Sequence, residues 1–299
     1  MTSPLPHITV CVCTWKRPLL LKRLLEKLGC QQTEGRLTFS VVIADNDRME
    51  SAKPVVEEFR HICPAITYCV EPEQNIARAR NKALMMSRGD YIAFIDDDEL
   101  PEPNWLLALL TACEEHKADG VLGPVKPLFE EQAPEWLISG RFCERPEHKT
   151  GTVLNWRQTR TGNVLFKREL LCGIREPFRP QFGDGGEDND FFRRMMNKHR
   201  IFTWCNEAVV FELVPPARFK RSYLLRRALQ RGQNQRHFVS FRSIAKSAAA
   251  CTIYTILLPF LLFARHHIFM KFLIRLFDHA GTLLVAIGAK PLGDKYISE

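Results

Sequence analysis

GDYIAFIDDDELPEPNWL, residues 89–106, runs from a short apolar segment straight into three consecutive aspartates and then into a helix start. Tyr91 to Ile95 has the length and character of a buried strand, and Pro103 opens a helix predicted over Asn104 to His116. Carboxylates that follow a buried strand stand at its carboxyl end, which is where open α/β sheets bind ligands.

The same alternation continues on both sides. His7 to Cys13 reads as a strand, followed by the loop TWKRP and a helix from Pro18 that Gly29 closes, with Leu19, Leu20, Leu24, Leu25 and Leu28 at helical spacing. Phe39 to Ala44 is a second strand, followed by a polar DND turn and a helix through Phe59. Ala65 to Val70 is a third strand, Asn75 to Ser87 a helix, and Gly120 to Val125 a further strand. This order predicts an α/β fold with a mostly parallel sheet flanked by helices. After Phe129 the pattern loosens into a Trp-, Pro- and Arg-rich segment, read as substrate-facing. A helix over Glu187 to Asn197 and a strand over Ala208 to Val214 follow.

With 45% hydrophobic and 25% charged residues in 299, the chain is neither disordered nor fibrous. Its ten cysteines form no CxxC pair and have no His cluster beside them, which excludes the common zinc patterns. The first residues lack the basic and long apolar stretches of a signal peptide, so a reducing cytosol is expected for the body.

The net charge of +8 hides an asymmetry. Residues 213–299 carry 14 Lys and Arg against 3 Asp and Glu, and no acid occurs between Leu213 and Phe277. The expected organisation is a catalytic body over 1–214 and a basic, apolar, helical, membrane-associating region over 215–299. Ser247 to Ala264 is 18 residues without charge, close to the minimum for crossing a bilayer. Basic residues ahead of it suit the anionic headgroups of a cytoplasmic membrane face, so a membrane is expected as partner and nucleic acid is not. The competing reading is a buried core helix, and Pro259 leaves a re-entrant path open.

Asp96, Asp97 and Asp98 repel one another unless a cation joins them. An all-oxygen cluster suits Mg²⁺ or Mn²⁺ shared with a diphosphate, and the alternative is a solvated turn that caps the next helix. In extended chain Asp96 and Asp98 would face one way and Asp97 the other. A second cluster, GGEDND, sets Glu187, Asp188 and Asp190 at a helix N-terminus after Gly185 and Gly186. There the dipole favours an ionised carboxylate able to take a proton.

VCVCTWKRP, VVIADND, NIARARNKAL, GDYIAFIDDDELPEPNWL, GPV, TGN and GGEDNDFF occur in that order, and together they resemble the family 2 glycosyltransferases of GT-A (nucleotide-diphospho-sugar transferase) fold over residues 7–212. Within that family the chain looks most like bacterial exopolysaccharide glucosyltransferases of the succinoglycan type. The resemblance implies that Thr14, Asp45, Arg80, Asp96 and Asp97 contact the nucleotide-sugar. It also implies that Asp96 and Asp98 hold the metal, with Asp188 as general base and Glu187 as the alternative. Trp136, Trp156, Gly162 and Asn163 would meet the acceptor, core packing being the other reading for both tryptophans. Asn75 and Asn81 fit the family's pattern or a capping role equally. Arg227, Arg231 and Arg236 would touch a diphosphate or lipid phosphate.

The implied reaction is inverting transfer of one sugar from a UDP-sugar to a lipid-linked oligosaccharide, at the cytoplasmic face of a bacterial inner membrane. Two departures stand out. Phe211 and Glu212 occupy the place where many relatives carry a metal-binding His, and the processive QxxRW signature is absent, which implies single addition. The rival functions are a metal-dependent nucleotidyl or phosphoryl transferase and a non-catalytic binding protein acting through the basic tail.

Overall fold

The computed structural model describes residues 4–60, 65–183, 185–234 and 240–289. Its strands are β1 (His7–Thr14), β2 (Thr38–Asp45), β3 (Ile66–Val70), β4 (Tyr91–Phe94), β5 (Glu99–Pro101), β6 (Gly120–Leu122), β7 (Val125–Leu128), β8 (Val164–Lys167), β9 (Phe202–Trp204) and β10 (Val210–Leu213). Its α-helices are α1 (Pro18–Gly29), α2 (Lys53–Phe59), α3 (Ile76–Met86), α4 (Trp105–Glu115), α5 (Glu135–Ser139), α6 (Glu187–Asn197), α7 (Arg221–Asn234), α8 (Phe241–Leu261) and α9 (His266–Ala286).

Seven strands form one sheet in the order β3-β2-β1-β4-β8-β6-β9. β1, β2, β3 and β4 run parallel, and β8 is inserted antiparallel to both β4 and β6. Apolar residues of β1 alternate between faces, as a strand buried on both sides requires. Ile8, Val10 and Val12 pack with the leucines of α1 and with Trp105, Leu106 and Leu109 of α4. Cys11 packs on the other face with Ala77 and Ala83 of α3 and a cluster containing Phe94, Phe166, Phe178, Phe191, Phe192 and Phe202. Burial pushes the Cys13 thiol up to about 12, so it serves as a small apolar group.

β5, β10 and β7 form a second sheet in the order β5-β10-β7, with β5 and β10 antiparallel. The strand expected over Gly120 to Val125 is thus broken at Gly123-Pro124 into β6 and β7, one in each sheet. Gly123 has no room for a side chain, since a Cβ there would meet the Ala208 carbonyl at 2.3 Å.

The chain divides into two compact units. The first contains residues 1–127 and 145–213, and the second contains 128–144 and 214–299. Residues 128–144, which the sequence reading places in the body, thus belong with the C-terminal unit. In that unit α9 packs against both α7 and α8.

Candidate active site

Because β1 and β2 are parallel and in register, Thr14 is paired with Asp45 at their carboxyl ends, and β4 releases the acidic turn beside β1. Thr14 donates to Asp97 Oδ2 at 2.7 Å. Arg17, just past β1, reaches Asp97 at 3.2 Å and Asp98 at 3.4 Å. Burial raises the Asp97 carboxyl, while Arg17 and the Thr14 hydroxyl pull it back down.

The expected alternation of the three aspartates does not hold. The Glu99 amide donates to the Asp96 carbonyl at 3.1 Å, which makes residues 96–99 a turn instead of extended chain. Asp97 and Asp98 therefore share Arg17, and Asp96 faces elsewhere. Its side chain, 47% exposed, lies 3.8 Å from Arg80 of α3.

Arg80 joins the two acidic clusters. Its guanidinium is nearly buried, lies over the Phe178 ring and pairs with Glu187 at the start of α6 while facing Asp96. The path that brings α6 there is built by asparagines. Asn81 donates to the Phe178 carbonyl and accepts from its amide, and Asn75 donates to the Pro180 carbonyl while capping α3 through the Arg78 amide. Asn75 and Asn81 thus serve as braces in this structure. Gly185 and Gly186, with φ of +125° and +96°, turn the chain into α6 in a conformation that side chains rarely adopt.

Asp188, half-buried at this N-terminus, accepts from the Asn189 amide at 2.7 Å. The helix dipole was expected to keep it ionised. Burial outweighs the pull of Arg80 and raises its carboxyl above the usual range, which makes it a stronger proton acceptor once ionised. Asp190 is taken by Arg179 and Arg194.

A third group includes Glu212, which occupies the place where many relatives carry a His. Glu99 and Glu212 face each other across β5 and β10, with Arg145 paired to Glu212 and 4.0 Å from Glu99. Glu99 has no exposed surface, and its Oε1 has no hydrogen-bond partner. Burial and the nearby Arg145 lower the Arg160 guanidinium to about 10. Gly162 fits against this group because it lacks a side chain: a Cβ would meet Glu99 Oε1 at 2.7 Å and Asp96 Oδ2 at 2.9 Å. Arg145 and Arg160 had no cue in the sequence, whereas Arg17 had one, its position directly after a strand.

Several expected ligand contacts are otherwise employed. Asp45 is fully buried and accepts from the Ala52 and Asp47 amides and the Tyr68 hydroxyl, so it shapes the loop after β2. Asn163, at φ +56°, is also fully buried. It accepts from Trp105 Nε1 and donates to the Pro124 and Ala208 carbonyls, which makes it a brace between strands and removes it from acceptor contact. Trp136 belongs to the second unit, where Phe142, His266 and Arg221 surround its ring. Trp156 stays beside α6, under the guanidiniums of Arg157 and Arg193. Arg231 is clamped by Asp278 at 2.9 and 3.2 Å, Arg227 is exposed, and Arg236 lies outside the described residues.

The oxygen donors suit a hard divalent cation. Among the described residues no group of three or more His, Cys, Asp or Glu side chains is arranged to hold an ion alone. The exposed Asp96 oxygens and the unpartnered Glu99 Oε1 nearby fit an ion whose remaining ligands come from a diphosphate.

Known proteins resemble this chain in sequence and in fold. The family model described as glycosyl transferase family 2 matches residues 9–173. The chain is 33% identical over 303 residues to the succinoglycan biosynthesis protein ExoM of Rhizobium meliloti (strain 1021), covering 96% of this chain and 94% of that protein. It is 28% identical over 177 residues to a glucosyl-dolichyl phosphate glucuronosyltransferase of Haloferax volcanii, covering 56% and 54%. Among solved structures, a mannosyltransferase from Pyrobaculum calidifontis in complex with GDP-Man and Mn²⁺ superposes with a TM-score of 0.63 at 18% identity, covering 94% of this chain and 88% of that one. TarS 1-349 of S. aureus in complex with UDP superposes at 0.54 and 17%, covering 94% and 90%. These likenesses establish the GT-A fold.

Proposed function

The chain belongs to glycosyl transferase family 2, and from that premise we propose that it moves one sugar, with inversion, from a UDP-sugar to a hydroxyl of a lipid-linked saccharide in exopolysaccharide synthesis. The observation that carries this reading is the Arg80 bridge, which sets the half-buried Asp188 and the acidic turn about one centre. The nucleotidyl-transferase and non-catalytic readings lose their ground once the family is known.

Asp188 accepts the proton of the acceptor hydroxyl, whose oxygen attacks the anomeric carbon from the side opposite the departing UDP. The new C–O bond forms as the bond to the diphosphate breaks, and one displacement inverts the configuration. Arg80 keeps Glu187 and Asp96 from repelling each other and limits how far burial raises Asp188. Thr14, Arg17 and Asp97 form the corner that receives the nucleotide, and Asp45 holds the adjoining loop in shape. The pair that the family resemblance implies, Asp96 and Asp98, would hold Mn²⁺ or Mg²⁺ once Asp98 turns from Arg17, and the ion would supply positive charge to the leaving diphosphate. Trp156 and Gly162 stand where an acceptor sugar would pack, and Glu187 is the alternative base.

Glucose is the proposed sugar and a polyprenyl diphosphate the proposed carrier. The C-terminal unit would hold the enzyme at the cytoplasmic face of the inner membrane, with its exposed arginines, Arg227 among them, toward lipid phosphates. Melting of the purified protein with UDP, GDP or dTDP, each with and without Mn²⁺, tests the donor class. A rise with UDP that needs both Mn²⁺ and Asp98 supports the reading. A rise with GDP or dTDP alone overturns the UDP assignment, and equal rises in EDTA remove the metal.

A further inference from the structure

α8 spans Phe241–Leu261, about 31 Å at 1.5 Å per residue, and is the helix among the described residues long and apolar enough to cross a membrane. What it packs against argues for a different placement. Along one side it is seated on α9 for most of its length. Ser247 meets His279 at 3.1 Å, Cys251 faces the Leu276 carbonyl, and Tyr254 packs on the rings of Phe272 and His279. α9 carries Lys271, Arg275 and Asp278, and Asp278 is held by Arg231 of α7 in a two-bond ion pair.

α7 and α9 touch backbone to backbone where Gly232 meets Gly281, since a Cβ on Gly232 would lie 2.5 Å from the Asp278 carbonyl. At the far end Arg221 of α7 donates to His266. Charged groups therefore lie beside α8 at both of its ends and along the helix it leans on. Carrying α8 through the hydrocarbon would carry these groups with it, at several kcal/mol each by order of magnitude.

The outer side of α8 is a stripe of apolar surface at helical spacing. Phe241 is 86% exposed, Ile256 61% and Phe260 72%, and Phe263 just beyond the helix is 95% exposed. Arg242, Lys246, Arg265 and Lys271 are exposed around it, and no acid occurs from Leu213 to Phe277. A stripe with a purely cationic rim matches a surface that is apolar beneath and anionic above.

Resting on the membrane association proposed above, we infer that α8 lies flat in a single leaflet of an anionic bilayer and does not cross it. Its apolar composition on all sides then has a physical reason: one side meets α9 and the other meets acyl chains.

The test uses the full chain and sealed vesicles of phosphatidylcholine with 30% phosphatidylglycerol or of phosphatidylcholine alone, the composition being about a third anionic to follow the surface charge of natural leaflets. Wild type is expected to bind the anionic vesicles at least about tenfold more tightly. Ile256→Asp combined with Phe260→Asp is expected to lose about tenfold or more while circular dichroism and the nucleotide-induced melting shift persist. A membrane-impermeant maleimide trapped in the lumen is expected to leave Phe263→Cys as unlabelled as wild type. No binding by wild type overturns the membrane reading itself. Binding that the double variant retains, or that ignores lipid charge, overturns the stripe alone, and lumenal labelling of Phe263→Cys shows a crossing and overturns the flat placement.

Discussion

Glu99 has no exposed surface and Phe263 is 95% exposed. The two units invert the ordinary distribution of polar and apolar groups, one by taking acids inside and the other by leaving aromatic and aliphatic side chains outside. Each inversion costs stability that the fold alone does not require. In the first unit the cost is contained by guanidiniums, Arg17, Arg80 and Arg145, each set between two carboxylates. In the second the stripe on α8 is left exposed among the described residues, and the relief proposed for it comes from a membrane.

The contrast is broken most severely at Asp188. Asp188→Asn is expected to lower turnover by about 10²–10⁴-fold in a sugar-transfer assay while the UDP-induced melting shift remains. The wild-type rate should fall as pH drops through a value above the ordinary carboxylate range, and this acid limb should vanish in the variant. The sign for stability is opposite. Because burial raises the folded carboxyl above its unfolded value, ionised Asp188 costs stability as pH rises through that window, so Asp188→Asn should melt higher at neutral pH.

Next in size is Arg145→Ala, which removes the guanidinium that Glu99 and Glu212 share. A loss of about 3–5 kcal/mol is expected in denaturant unfolding, and Glu99→Gln with Glu212→Gln in the same chain should restore much of it. Asn163→Ala strips partners from Trp105 Nε1 and two carbonyls, and about 2–3 kcal/mol should be lost with UDP binding unchanged. The smallest effect is expected at the other extreme. Phe263→Ser should leave unfolding free energy within about 0.5 kcal/mol, because the side chain packs on little of the protein.

The alternation of strands and helices was legible because the strands from β1 to β4 are mostly apolar runs and α1 and α3 between them carry leucine or alanine at regular spacing. The short strands β5, β8 and β9 had no such run, and β8 lies next to neighbours about seventy residues before it and forty before it in the chain. Asp188 and the acidic turn could be found by type and position. Arg145 and Arg160 could not, since their roles come from a cross-strand register that only the folded sheets create. Asn163 misled for the same reason. The family resemblance implied an acceptor contact, whereas its partners are the Trp105 indole and the Pro124 and Ala208 carbonyls near the point where β6 and β7 part company.

The inserted strand β8 also sets an order on assembly. A ribosome delivers β4 by residue 94 and β6 by residue 122, yet these two strands have no edge in common, and the strand that joins them ends at Lys167. Until that point the nascent chain carries facing strand edges on β4 and β6 that have no partner yet, and a Glu99 whose cation Arg145 is still to come or newly made. The two parts of the sheet can therefore join only once β8 is made, and β9 is added to the β6 edge later still. A nascent chain stalled anywhere before residue 167 would offer its open edges to chaperones or to other chains, so the speed of translation across residues 123–167 bears directly on how much enzyme a cell obtains.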